Sequence, residues 1–238
     1  MDWSPNAAAV GAILGWLAGW WVPALIRLVP EPDSAMAGEG EQLKELYVDI
    51  AADRGLAWQT AIAGGFATGL IGGSVGWGLL LVLVPLVPVG VALAVIDWHT
   101  RLLPRVIVLP ATGYVLMACS LLSLLDGETN NLSRGIFGLL LARGTFWLMW
   151  RVHAAGMGFG DVRLAGLVGF VLGYLGWGPF LLGIYSSFLL LGVPGLSYAV
   201  IRRDRGFLRV AVPFGPFMLI GAVLGLVFGQ TLTRLLGN

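Results

Sequence analysis

The sequence predicts an all-α polytopic membrane protein, a bundle of about eight transmembrane helices in a lipid bilayer. Of its 238 residues, 58% are apolar and only 11% are charged, whereas a soluble domain carries about 25% charged residues. A disordered chain has the opposite composition. The formal net charge of +1 also argues against a nucleic-acid partner. The remaining class is a protein that crosses the membrane several times.

The gaps between charged residues locate the spans, because a helix crosses the hydrocarbon core with about 20 apolar residues. The two longest gaps hold two spans each, and we expect them to break near the glycines around Gly76 and Gly176. The predicted spans lie at 7–29, 55–96 (two spans), 106–125, 135–150, 164–201 (two spans) and 210–233. The chain therefore divides into a first helix, 1–29, a loop, 30–55, and a seven-helix core, 56–238.

The loop at 30–55 is the longest polar stretch of the chain. Leu43, Leu46, Tyr47 and Ile50 follow the i, i+3, i+4, i+7 spacing of an amphipathic helix. We expect a short helix on the membrane surface, and a docking site for a partner is the alternative.

The basic residues indicate the orientation of the bundle. Cytoplasmic loops carry an excess of arginine and lysine, and most of the 14 basic residues fall near 30–55, 97–105, 152–161 and 202–209. Arg134, Arg143 and Arg234 lie elsewhere. These loops are predicted to face the cytoplasm from the inner cell membrane, with both termini outside.

Two aspartates occupy positions that call for a functional or structural explanation, because a charge at the edge of a membrane span is costly. Asp97 ends the apolar run of the third span, and Asp161 opens the sixth span on the same predicted side. Two nearby carboxyl groups share a proton, so one deprotonates water while the other protonates a carbonyl. The glycines before Asp161 permit close approach and positive φ angles. The alternative is two helix caps.

Three segments carry a resemblance to a known family. Residues 156–164 contain the pattern GxGD, residues 96–104 place Asp97 before a Leu-Pro pair, and residues 213–217 form a proline-glycine opening of the last helix. In this order the segments resemble the type IV prepilin leader peptidases, which are aspartyl membrane proteases. The resemblance covers roughly residues 56–235.

The resemblance implies that Asp97 and Asp161 are the catalytic pair, with no metal and no cofactor. It implies that the substrates are type IV prepilin-like precursors, cleaved on the cytoplasmic side after a glycine that ends a short basic leader. The residues expected to shape the site or bind substrate are Gly158, Gly160, Arg163, Pro213 and Gly215, with Arg163 in the place of a family lysine.

The chain also departs from the family. Larger members carry two CxxC pairs in the loop after the first span, linked to N-methylation of the new amino terminus. Here that loop has no cysteine, and Cys119 is the one cysteine of the sequence. We therefore expect a peptidase without methyltransferase activity, of the short kind that serves tight-adherence pili and related secretion systems.

Two further functions are open at this stage: an ion- or proton-coupled transporter that uses the same carboxylates, and a non-catalytic scaffold of pilus assembly. A homo-oligomer is also left open. His99 and His153 are expected to be solvated at the interface, Cys119 to be inert core, and Arg143 to line a wet cavity or pair with an acid. Glycines spaced by four residues indicate close helix packing, and they are Gly11, Gly15, Gly19, Gly221, Gly225 and Gly229.

Overall fold

The computed structural model describes residues 3–31, 45–152, 157–202 and 212–235, and the regular structure in these ranges is helical throughout. Eleven helices follow one another in the described residues. They are α1 (Pro5–Trp20), α2 (Val22–Arg27), α3 (Tyr47–Ile50), α4 (Leu56–Ser74), α5 (Trp77–Leu83), α6 (Leu86–Thr100), α7 (Arg105–Asp126), α8 (Thr129–Val152), α9 (Phe159–Leu175), α10 (Trp177–Arg202) and α11 (Gly215–Leu235).

The predicted breaks within the two double spans are confirmed. The first falls between Ser74 and Trp77, and the second at Gly176, which has a φ of 151°. Among the described residues, four helical stretches are long and apolar enough to cross a membrane: Trp77–Thr100, Arg105–Asp126, Trp177–Gly195 and Gly215–Arg234. The other long helices are shorter, richer in glycine or, like α8, interrupted by arginine. The protein is therefore an all-α polytopic membrane protein.

Helix α9 lies at the centre of the bundle. From Asp161 to Tyr174, every residue except Arg163 is buried. Helices α7, α8, α10 and α11 all pack against it, and its side chains form the middle of the main hydrophobic cluster. The helix that carries Asp161 is thus fixed by neighbours along its whole length.

Glycine contacts hold three helix pairs together: α1 with α4, α8 with α9, and α10 with α11. A Cβ at Gly11 would come within 2.5 Å of the Thr68 carbonyl oxygen, and one at Gly225 within 2.6 Å of the Pro179 carbonyl oxygen. The predicted packing role of both glycine series is confirmed. The α8–α9 contact is built in the same way, on Gly138 of α8 with Gly169 and Gly173 of α9.

The helix predicted within the loop is only one turn long in the described residues. It spans Tyr47–Ile50, and Leu46 precedes it with half of its surface exposed. Leu43 lies outside the described residues. Tyr47 and Ile50 are buried in a second, smaller hydrophobic cluster, which also contains Ile26 and Ile96.

Side chains from outside the turn fix α3 in place. The Glu31 carboxylate accepts hydrogen bonds from the amides of Tyr47 (3.0 Å) and Val48 (2.9 Å), and Arg27 donates to the Ala51 carbonyl at 3.0 Å. Burial raises the pKa of the Tyr47 hydroxyl, and the nearby Glu31 carboxylate acts in the same direction. The segment therefore docks on α2 and α6 beside the end of α6.

The α8–α9 contact predicts opposite effects for two glycines of one helix. In Gly138→Ala, the new Cβ would overlap the Gly169 carbonyl oxygen, so we expect a loss of roughly 1–3 kcal/mol of stability from overpacking. Gly144 has open space around it, so Gly144→Ala is the matched control and gains helix propensity. Thermal unfolding in detergent measures both. Equal melting temperatures for the two variants would contradict the packing role.

Candidate active site

Asp97 lies in the last turn of α6, where the start of α11 meets it. Its Oδ2 accepts a hydrogen bond from the backbone N–H of Gly215 at 2.9 Å, and the residue is only 4% exposed. A Cβ at Gly215 would lie 2.7 Å from the same oxygen, so only glycine brings the amide this close without displacing the carboxylate. The expected site-shaping role of Gly215 thus has a direct physical basis.

Asp161 lies in the first turn of α9 and is 7% exposed. Its Oδ2 accepts the backbone N–H of Gly158 at 3.1 Å, and its own N–H donates to the Gly158 carbonyl at 3.1 Å. In a capping box, the side chain at the third helical position accepts the N–H of the N-cap residue, as Asp161 does here from Gly158. The second oxygen, Oδ1, is buried and has no hydrogen-bond partner among the described residues. Capping therefore accounts for one of its two oxygens.

The structure brings the two aspartates to the same end of the bundle. Gly160 packs against Leu103, which follows α6, and a Cβ at Gly160 would lie 2.6 Å from the Leu103 Cβ. The two carboxyl groups lie close enough for the charge of Asp97 to act on Asp161. The guanidinium of Arg101 acts on Asp97. Two buried carboxyl groups and one nearby cation thus form a single electrostatic unit.

The backbone distinguishes the two uses that glycine allows in the GxGD segment. Gly158 has a φ of −74°, and among the described residues positive φ angles occur only at Arg101, Gly127 and Gly176. The glycines before Asp161 therefore do not serve a left-handed turn. Gly160 is needed for close approach to Leu103, whereas Gly158 contributes its N–H.

Arg101 has a backbone conformation that the sequence did not predict. It ends α6 in the left-handed conformation, with φ 55° and ψ 32°, and its N–H donates to the Asp97 carbonyl at 2.8 Å. A non-glycine residue in this region stores strain and is uncommon outside functional sites. No sequence pattern predicts it, because glycine is the usual residue there.

The remaining predicted residues lie around this centre with different contacts. Arg163 stacks on the Phe159 ring at 4.8 Å. Pro213 immediately precedes Phe214, whose ring packs 5.6 Å from that of Phe146. Neither contact involves an aspartate. Arg163 and Pro213 therefore lie beside the site without touching Asp97 or Asp161 through these contacts.

The structure also shows the surroundings of His99, Arg143 and Cys119. His99 is exposed, as predicted, and its Nδ1 lies 2.8 Å from a Glu45 carboxylate oxygen; His153 lies outside the described residues. Arg143 is exposed on α8, with its aliphatic stem beside Gly166. Cys119 is buried core. No group of three His, Cys, Asp or Glu side chains suited to a metal ion occurs in the described ranges.

The site defines a class: a helical membrane protein with a pair of buried carboxyl groups at one end of its bundle. Residues 84–200, which contain both aspartates, match the model of the type IV leader peptidase family. This segment therefore belongs to that family, and the resemblance seen in the sequence motifs is confirmed.

Curated relatives carry the same family name. The chain is 31% identical over 159 residues to the prepilin leader peptidase/N-methyltransferase of Pseudomonas aeruginosa, covering 66% of this chain and 49% of the relative. It is 30% identical over 164 residues to the protein of that name from Aeromonas hydrophila, covering 67% of this chain and 53% of the relative. The chain thus spans about half the length of the curated relatives it matches. No solved structure gives a significant match.

The two motif glycines are expected to differ in their tolerance of a methyl group. Gly160→Ala places a Cβ 2.6 Å from that of Leu103, whereas a Cβ at Gly158 meets its nearest atom at 3.6 Å. Gly160→Ala is therefore expected to lower the melting temperature in detergent by several degrees, a cost of about 1–3 kcal/mol. Gly158→Ala keeps its N–H and serves as the control. A larger loss in Gly158→Ala than in Gly160→Ala would refute this reading of the motif.

Proposed function

We propose that this protein is an aspartic-type peptidase that removes the leader from type IV prepilin-like precursors. The observation that carries the proposal is the meeting of Asp97 and Asp161, from two segments 64 residues apart, as buried carboxyl groups at one end of the bundle. The family match of residues 84–200 and the printed names of the relatives support the same activity.

The geometry suits hydrolysis by two carboxyl groups. One carboxylate takes a proton from water as that water attacks the peptide carbonyl, and the partner carboxylic acid donates a proton to the carbonyl oxygen. The proton taken from water then passes to the leaving amine as the C–N bond breaks, and the partner aspartate recovers its proton as the carbonyl re-forms. The Gly215 amide fixes the orientation of Asp97. Oδ1 of Asp161 has no hydrogen-bond partner among the described residues and can accept a hydrogen bond from water.

The position of the pair favours a peptidase over a transporter. Asp97 lies in the last turn of α6 and Asp161 in the first turn of α9. A coupled transporter holds its ionisable groups near the midplane, where alternating access exchanges them between the two sides. Carboxyl groups at helix ends suit a peptide bond just outside the hydrocarbon core.

The distribution of basic residues supports a cytoplasmic site. Arg101 and Arg105 flank the end of α6, and Arg151 and Arg163 flank the start of α9. By the positive-inside rule this end of the bundle faces the cytoplasm. The proposed enzyme lies in the inner membrane, with both termini outside and its site facing the compartment in which precursors are made.

Replacing either aspartate by asparagine is expected to abolish leader removal. Asparagine keeps the size of the side chain but neither gives nor takes the proton, so turnover should fall by at least about 10³-fold. Each variant is co-expressed with a prepilin from the same genome, and the mass of the prepilin reports cleavage. Asp126→Asn, at the exposed end of α7, is the matched control. Normal cleavage by Asp97→Asn or Asp161→Asn would overturn the proposal.

The same mass measurement tests methyl transfer. Because the sequence holds one cysteine, it cannot form the paired CxxC thiolates to which the larger family members link methylation. We expect the mature product to carry a free, unmethylated amino terminus. A product heavier by one methyl group, made when this chain is the only family member present in the cell, would show that the thiolate pairs are dispensable.

A further inference from the structure

A long apolar cleft runs beside the aspartates. Its volume is about 810 Å³, and helices α4, α6, α9 and α11 line it. On α4 the lining extends from Leu56 to Ile71, a distance of about 22 Å at 1.5 Å per residue. The cleft is therefore long enough to cover most of the roughly 30 Å hydrocarbon thickness.

One end of the cleft adjoins the aspartates. Trp98 and Pro216 both line it, and they are the chain neighbours of Asp97 and of Gly215, which donates to Asp97. The floor consists of Leu167, Val168 and Val171 of α9, the helix that begins beside Asp161. The walls formed by α6 and α11 thus bring the cleft next to Asp97, and α9 joins its floor to the helix turn that carries Asp161.

The polarity of the lining is uneven along its length. Gln59, Thr60 and His99 lie at the end near the aspartates, whereas the residues beyond them are apolar. The Thr60 hydroxyl donates to the Gly19 and Leu56 carbonyls, and His99 pairs with Glu45. Gln59 is therefore the polar side chain that this end offers to a bound helix. The first turn of a helix carries backbone N–H groups without intrahelical partners. A polar side chain at this end of the cleft can accept a hydrogen bond from these groups of a bound helix. The lining residues that the structure describes include no arginine or lysine, so these residues offer no cation to a lipid phosphate.

The cleft is open on one side. Phe66 and Ile220 lie on its rim with 70% and 51% of their surfaces exposed, while Leu167 and Val168 are buried beneath. A polypeptide in an apolar membrane environment must satisfy its backbone internally, so a single segment in this cleft is an α-helix. An apolar helix enters sideways from the bilayer, without threading.

We propose that this cleft binds the apolar transmembrane helix of the substrate, with the start of that helix at Gln59 and Trp98 and the cleaved bond just beyond it at the aspartates. The inference rests on the proposed peptidase function and adds the surface that recognises the substrate. It also assigns Gln59 as a specificity residue that contacts the first turn of the bound helix.

Photocrosslinking tests this placement in the full chain carrying Asp161→Asn, which retains the substrate. A benzophenone amino acid replaces Gln59, Ala67 or, outside the cleft, the exposed Ala9 of α1. The probe is a precursor with a short lysine-containing leader ending in glycine, followed by about 20 apolar residues. We expect adducts from Gln59 and Ala67 and none from Ala9.

The register sharpens the test. Gln59 and Ala67 are eight residues apart on α4, so the precursor residues that they capture should be displaced by about two helical turns. The Gln59 adduct should fall in the first turn after the glycine. Adducts from Ala9 at equal yield, adducts with lipid alone, or no displacement between the two positions would each overturn the inference.

Filling the cleft gives an independent measurement. Ala63 lines it, whereas Ala9 does not, and both are exposed. Ala63→Trp is expected to slow cleavage of the precursor at least tenfold, and Ala9→Trp to leave it unchanged. Cleavage by the parent protein without cleft adducts would refute substrate binding in the cleft and leave the proposed peptidase function standing. Cleft adducts without cleavage by the parent protein would refute the peptidase function and leave a cleft that binds helices.

Discussion

The contact between the Gly215 amide and the Asp97 carboxylate is the interaction on which the site depends. It joins residues 118 positions apart and places the amino-terminal end of α11, with its partial positive charge, against a buried acid. The contact forms only when α6 and α11 are fully docked, and these helices also form two walls of the cleft. One hydrogen bond thus couples the orientation of a carboxylate to the shape of the surface proposed to receive substrate.

Helix α9 is held by hydrogen bonds at both ends. One of these contacts explains why Arg134 lies outside the basic loops. At its far end, Arg134 donates to the carbonyls of Gly173 and Tyr174, both at 2.9 Å, and Gln230 donates to the Leu175 carbonyl at 2.9 Å. Unsatisfied carbonyls at a helix end are costly in a membrane. Arg134 therefore serves α9 and lies outside the basic loops for that reason. With Asp161 capping the other end, the central helix cannot shift along its axis without losing hydrogen bonds.

The sequence predicts those features that depend on local pattern. Charge-free runs locate the helices, glycines locate the breaks near Gly76 and Gly176, and the placement of Asp97 and Asp161 at helix ends predicts that they meet. The contact of Gly160 with Leu103, the left-handed Arg101 and the cleft depend on how distant helices pack, and one sequence has no signal for them. The sequence left two uses open for the glycines before Asp161, close approach or a positive φ, and the structure uses Gly160 for close approach and Gly158 for its N–H.

The alternative of two helix caps accounts for only part of this arrangement. Asp97 lies in the last turn of α6, an unfavourable position for an acid within its own helix, but its Oδ2 accepts the N–H of Gly215 at the start of α11. Asp161 caps α9 through Oδ2 alone, and a buried Oδ1 with no hydrogen-bond partner among the described residues costs about 1–3 kcal/mol. A structural cap needs neither the second buried acid nor the free oxygen. Both have a use if water enters between the two carboxyl groups, because the free oxygen is then its acceptor and the neighbouring acid its partner in proton transfer.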